Sequence, residues 1–237
     1  MAAEDQRTPP AAEPLNVGRH AQGTIMKNVD LHAPEDRHGT ISRYREGPTL
    51  LERAVRGLRD ADLDAMPSGG GWTIRQAVHH VVDGDDIWKM CIKMAIGNEQ
   101  SEFSLGWYSA QPQEIWGDRW AYSQRSVDAS LSLFKAIRNH ILQLLETVPD
   151  AWNRSVAVRT RDGEIERVPV GFVIKMQADH VFHHIERIHA ILRDRGGAQS
   201  GSRGTLTPGP HTTRLAGPHR AVHDGGAHET SRHSRGP

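Results

Sequence analysis

Gly70-Gly71-Trp72-Thr73-Ile74-Arg75-Gln76-Ala77-Val78-His79-His80-Val81-Val82-Asp83 is the stretch that decides the fold of this chain. It has a counterpart later in the sequence, Asp179-His180-Val181-Phe182-His183-His184-Ile185-Glu186. Thr73 and Gln76 stand in the S/T-x-x-E/Q spacing of a capping box, which starts a helix. From there Ile74, Val78, Val81, Trp88, Ile92 and Ile96 recur at helical spacing, and Gly97-Asn98 supplies a stop. In the later segment Ile174, Ala178, Val181, Ile185, Ile188 and Leu192 make a similar stripe. That stripe predicts a helix from about Val170 to Arg193, stopping at Gly196-Gly197.

Working outward, two more helices are expected. One runs from about Pro48 to Leu58, with the proline in its first turn, where a missing N–H costs nothing. A short turn, Asp60 to Pro67, follows it. The other runs from about Ala121 to Thr147, with apolar residues at Val127, Leu131, Phe134, Ile137, Ile141 and Leu145, and Pro149 after it. Alternating residues from Val156 to Val168 flank Asp162-Gly163, a hairpin signal. The fold class is therefore all-α, an antiparallel four-helix bundle with a small β-hairpin before the last helix.

Composition bounds the folded unit at residues 38–195. Residues 1–37 are polar, proline-rich and without helical periodicity. In residues 196–237 the large aliphatic residues are sparse, so ordering the segment would not be offset by burial. Both ends read as disordered extensions. The tail histidines (His211, His219, His223, His228, His233) are too irregularly spaced to define a metal site. Formal net charge is zero, which gives no field favouring nucleic acid. No apolar run approaches the ~18 residues of a membrane helix. A single cysteine, Cys91, excludes an intrachain disulfide framework. These features together predict a soluble cytoplasmic protein, with Cys91 an inert buried thiol.

Projection at about 100° per residue sorts the histidines. His180 and His184, one turn apart, share a flank of the last helix with Val173, Gln177 and Ile191, whereas His183 falls with Lys175, Asp179 and Glu186. On the earlier helix His80 shares its edge with Ala77, Gly84, Ile87 and Cys91, and His79 shares the opposite edge with Arg75, Asp86 and Lys93. The candidate metal ligands are thus His80, His180 and His184, with His79 and His183 assigned to the surface. Three inward neutral imidazoles would leave an open coordination position, the pattern of a catalytic metal site. The competing reading is a hydrogen-bonded polar seam without metal. Asp83 is either an acceptor for an imidazole N–H or an exposed helix charge.

Several familiar designs are absent. The position after His180 is Val181, so the H-E-x-x-H arrangement of zinc proteases, with its glutamate base, is not met. Gly69-Gly70-Gly71 follows no expected strand, which excludes a dinucleotide fingerprint. The long connection from Asn98 to Arg119 carries Phe103, Trp107, Tyr108 and Trp116, and reads either as a lid over a binding site or as a packed cover for the bundle end. Arg159 and Arg161 offer charges for an anionic substrate, with nothing to choose between them.

The two histidine segments resemble the DinB superfamily, most closely its YfiT-type, bacillithiol-transferase-like branch. Residues 70–83 resemble the second-helix motif of that family, and His180-Val-Phe-His183-His184 resembles the H-x-x-H-H pattern of its last helix. The resemblance covers roughly residues 38–195. It implies a DinB-type bundle, a divalent ion such as zinc or nickel on His80, His180 and His184, and often a homodimer. It further implies a metal-dependent enzyme that transfers low-molecular-weight thiols to electrophiles, with a metal-dependent hydrolase, a thiol-dependent isomerase or a non-catalytic metal-binding module as alternatives. Small-molecule thiols and electrophiles would then be the partners. Gly84-Asp85 departs from the Ser-His usual in that branch.

Overall fold

The structure is a computed structural model that describes residues 31–159 and 163–201, with side chains to residue 196. Four long helices dominate: α1 (Arg37–Val55), α3 (Ile74–Gly97), α6 (Val127–Thr147) and α7 (Val170–Gly201). Three short helices, α2 (Asp60–Leu63), α4 (Gly106–Ser109) and α5 (Gln113–Arg119), lie in the connections. Strands β1 (Glu102–Ser104), β2 (Ser155–Arg159) and β3 (Ile165–Pro169) form one small sheet. The expected bundle and hairpin are both present. The polar extension before residue 31 and the tail beyond residue 201 lie outside the described residues.

The capping box at α3 forms as its sequence requires. Gln76 N–H donates to Thr73 Oγ1 at 3.2 Å and Thr73 N–H donates back to Gln76 Oε1 at 2.9 Å. The first long helix does not begin at Pro48. It begins at Arg37, with Asp36 accepting from Gly39 N–H at 2.8 Å, and Pro48 lies buried inside it. A proline there removes the bond to the carbonyl four residues back and costs about 3 kcal/mol or more. The carbonyl concerned is that of Tyr44, and Arg138 Nη1 donates to it at 2.7 Å. A tertiary contact thus supplies what the local rule says is missing. Leu31 and Ala33 also pack on the core, and Trp152 Nε1–H donates to Pro34 O at 3.3 Å. The packed unit therefore includes residues 31–36.

Contacts between helices fix their directions. Arg43 meets Asp179, and Gly47 abuts Val181, so α1 and α7 run parallel. His79 meets Ser130 and Asp85 meets Arg138, so α3 and α6 also run parallel. The first pair runs against the second: Gly84 lies beside His180, and Arg37 donates to Leu145 O. Because α3 and α6 point the same way, the chain must travel the length of the bundle between them. That journey is the connection from Asn98 to Ser126.

The crossover is more structured than a loop. Phe103 in β1 pairs with Val158 in a parallel register, which adds a third strand to the hairpin. Val156 pairs with Val168 in the antiparallel β2–β3 ladder, and Phe103, Val156, Val158 and Val168 turn inward onto the base of the bundle. β1 was missed in the sequence because three residues with the pattern exposed–buried–exposed carry little periodicity. The crossover also delays the third long helix. Ala121 takes φ 53°, Tyr122 N–H donates to Gly117 O, and Ser126 caps α6. α7 in turn continues past the expected Gly196-Gly197 stop to Gly201.

Two apolar clusters fill the bundle. One, at the sheet end, contains Trp88, Ile92, Ile141, Trp152 and Ile174; the other, toward the start of α3, contains Leu51, Ile74, Val78, Phe134 and Ile188. A polar layer separates them, built on Arg138 and Asp85. Their bidentate pair is formed at 2.8 and 3.1 Å, and both side chains are 1% exposed. Arg138 also donates to Gln177 O at 2.8 Å. One guanidinium therefore ties together all four long helices. The Asp85 that departs from the resembling motif is its counter-ion.

Candidate metal centre

His80 comes from the second turn of α3, and His180 and His184 from adjacent turns of α7. Because these helices are antiparallel neighbours, the single and the paired histidines meet across one seam. His80 Nε2 lies 3.0 Å from His180 Nε2, and His184 Nε2 lies 3.1 Å from the same atom. One ligand atom from each falls within 4.8 Å of the others. The rings stand edge to face, with centroids 4.7–5.0 Å apart. The three residues singled out by helical projection are those the fold brings together.

Their surroundings keep them neutral. Burial lowers the pKa of all three imidazoles, and their mutual repulsion lowers those of His80 and His184 further. His180 is pushed down to about 4, by burial first and the Arg138 charge second. Neutral imidazoles present lone pairs, which is the state a metal requires. Three such nitrogens converging at hydrogen-bond distance cannot all be satisfied by one another without sharing protons. A divalent cation would satisfy them at once, and an all-imidazole donor set suits a divalent transition metal.

The outer atoms are less complete. His80 Nδ1 is buried without a hydrogen-bond partner among the described residues. Asp83, one possible acceptor for it, instead accepts from the Tyr122 hydroxyl at 2.7 Å. Burial raises the Asp83 pKa. α3 lies close to α7 here: a Cβ on Gly84 would sit 3.6 Å from His180 Cε1, an ordinary contact.

His183 is exposed, as projected. His79 is not: it is fully buried and belongs to a separate arrangement. Its Nδ1 lies 2.8 Å from Ser130 Oγ and its Nε2 3.3 Å from Arg125 O. The carbonyl can only accept, so Nε2 carries the proton and Nδ1 accepts from the serine. The solvated edge inferred from Arg75 misled because Arg75 is itself buried, bridging Asp60 and Asp64 at 2.7 Å each. A single sequence gives no sign of those partners.

The aromatic crossover reaches the site from one side. Tyr108 stacks on Trp116 and Trp120, Trp120 meets Tyr122, Tyr122 meets Trp72, and Trp72 packs on His80 with centroids 4.2 Å apart. Both readings of this segment share that geometry: it covers the flank of α3 and ends against the histidines. Arg159 is taken by Glu102, with contacts at 2.6 and 2.7 Å, and Arg161 lies outside the described residues. Cys91 is buried, and burial pushes its thiol up to about 12. A cleft of about 660 Å³ near α2 is lined by Glu52, Arg56, Asp60 and Arg75, with none of the three histidines on its walls. No helix among the described residues is long and apolar enough to cross a membrane.

The chain is similar to known proteins. The chain is 24% identical over 162 residues to "Putative metal-dependent hydrolase YfiT" of Bacillus subtilis (strain 168), covering 68% of this chain and 87% of that protein. It is 26% identical over 153 residues to a "Putative metal-dependent hydrolase" of Oceanobacillus iheyensis, covering 65% and 84%. A solved structure, that of B. subtilis YfiT, described as "a probable metal-dependent hydrolase with an unusual four-helix bundle topology", matches with a TM-score of 0.57. The match is 25% identical and covers 67% of this chain and 86% of that one. A profile of the DinB superfamily matches residues 43–188, the greater part of the chain and all three histidines. The chain belongs to the DinB superfamily, in its YfiT-type branch.

Proposed function

We propose that His80, His180 and His184 hold a divalent ion, zinc or nickel, and that the protein uses it to transfer a low-molecular-weight thiol to an electrophile. The observation that carries this reading is the convergence of three imidazoles, two buried and one half-buried, each with a ligand atom within 4.8 Å of the others. Bound there, the ion would supply a Lewis acid able to bring deprotonation of a thiol or water into the neutral range. The protein's own groups prepare the place. Burial keeps the imidazoles unprotonated, Trp72 shields one face of His80 from water, and the Arg138 charge disfavours protonation of His180. The names of the relatives favour a second reading, hydrolysis, in which water takes the place of the thiol.

The test is metal analysis of the full-length untagged chain, reconstituted with zinc or nickel and dialysed against a weak chelator. About one equivalent is expected in the wild type and in His183→Ala, and almost none in His184→Ala. Equal retention in both variants would sink the triad. Consumption of glutathione and 1-chloro-2,4-dinitrobenzene, metal-loaded against chelated, then separates a transferase from a hydrolase or a non-catalytic module.

A further inference from the structure

Arg187 lies three residues after His184, one turn further along the same side of α7. It is exposed, and among the described residues it has neither an ion pair nor a hydrogen bond. Four other arginines are engaged by carboxylates: Arg43 by Asp179, Arg75 by Asp60 and Asp64, Arg138 by Asp85, and Arg159 by Glu102. The free guanidinium is also closely placed. A Cβ on Gly71 would lie 3.6 Å from Arg187 Nη2, and the next residue is Trp72, whose ring packs on His80.

Two further features bear on what the position admits. Gly69, Gly70 and Gly71 carry no side chain, and a Cβ on Gly69 or Gly70 would meet nothing within 4 Å. The carboxylates near the triad are already occupied, Asp83 by Tyr122 and Asp179 by Arg43 and Lys175. An unneutralised cation beside a cluster suited to a second cation makes an approach that favours anions.

We propose that Arg187 is the anion-recognising residue of this site, pairing with a carboxylate of the small molecule that enters between the glycine loop and α7. A guanidinium fork suits a carboxylate in two-point contact. The inference rests on the metal reading above and narrows its substrate to an acid. The neutral analogue of the same ligand would leave Arg187 unpaired.

The experiment uses the full-length chain loaded with cobalt(II), a spectroscopic substitute for zinc, and dialysed. It is titrated with 3-mercaptopropionate and with 3-mercapto-1-propanol, which has the same length without the charge. Thiolate-to-cobalt absorption reads the binding of each. In the wild type the acid is expected to bind about tenfold more tightly or better, the range of a hydrogen bond to a charged group. Arg187→Gln should remove that preference and leave cobalt uptake and the alcohol's affinity unchanged; Arg187→Lys should keep part of it. An acid preference that survives intact in Arg187→Gln, as simple chelation of cobalt by the carboxylate would give, overturns this inference alone. No cobalt uptake by the wild type overturns the metal reading and this inference with it.

Discussion

Arg138 Nη1 donates to the carbonyl oxygen of Tyr44 at 2.7 Å, the one carbonyl that Pro48 leaves without its helical partner. The same guanidinium holds Asp85 and the carbonyl of Gln177, and lies over the rings of Tyr44 and Phe134 at 4.2 and 4.4 Å. Nearly every donor of a buried arginine is thereby used, at the layer where the two apolar clusters meet.

Replacing Arg138 by leucine should be strongly destabilising. It strands the Asp85 carboxylate, and breaking a buried pair from one side typically costs about 3–5 kcal/mol. Asp85→Leu in the same background should recover part of that loss, because an apolar pair of similar volume avoids the uncompensated charge. Urea denaturation of the two single variants and the double measures both effects. A loss below about 1 kcal/mol for Arg138→Leu would contradict the role given to this layer.

Two helical glycines should respond to alanine with opposite sign. A Cβ at Gly47 would lie 2.3 Å from Arg138 Nη1 and 2.9 Å from Val181 Cγ1, so Gly47→Ala pushes α1 from α7 and disturbs the arginine. A cost of about 1–3 kcal/mol is expected for such overpacking. At Gly84 the added carbon meets His180 only at ordinary contact distance, 3.6 Å. There the helix-propensity gain of up to about 1 kcal/mol should dominate. Thermal unfolding of the two variants should move in opposite directions, and a shared direction would show that the approach of α1 to α7 is misjudged.

Acid should destabilise the metal-free protein before ordinary carboxylates titrate. His79, His80, His180 and His184 all have folded pKa values below the ordinary histidine value, chiefly through burial. The unfolded chain therefore binds more protons as pH falls through about 6.5, and stability declines from there toward the folded values. For His180, held near 4, this amounts to about 2 kcal/mol lost by about pH 5. Asp83 acts in the opposite sense, since its raised pKa favours the native state at low pH. Denaturation midpoints between pH 7 and 5 should fall less steeply in His180→Asn. An equally steep fall in that variant would exclude His180 as a contributor.

Much of this was legible in the chain because it rests on local rules. Thr73 and Gln76 announce the start of α3, and the i, i+4 spacing of His180 and His184 places them together whatever the partner helix does. What failed depended on partners distant in sequence. Pro48 reads as a helix start unless Arg138 is known to cap Tyr44 O. Arg75 reads as solvated unless Asp60 and Asp64 are seen to fold over it. The parallel course of α3 and α6, which turns residues 98–126 into a crossover, follows from tertiary packing and leaves no periodic trace.

His79 offers the sharpest contrast with its neighbour in the chain. It adjoins His80 but points to α6, where it accepts from Ser130 and donates to the Arg125 carbonyl just before that helix begins. The pair thus fastens the end of the crossover to α3. Ser130→Ala removes one buried hydrogen bond and leaves Nδ1 of His79 unsatisfied, which should cost about 1–3 kcal/mol. His79→Ala additionally opens a cavity and frees the Arg125 carbonyl, so its loss should be the larger. Neither change touches the three converging Nε2 atoms. Metal content after reconstitution should therefore stay at the wild-type level in both variants, while His80→Ala loses it; depletion in His79→Ala at unchanged fold would move the metal site onto the other edge of α3.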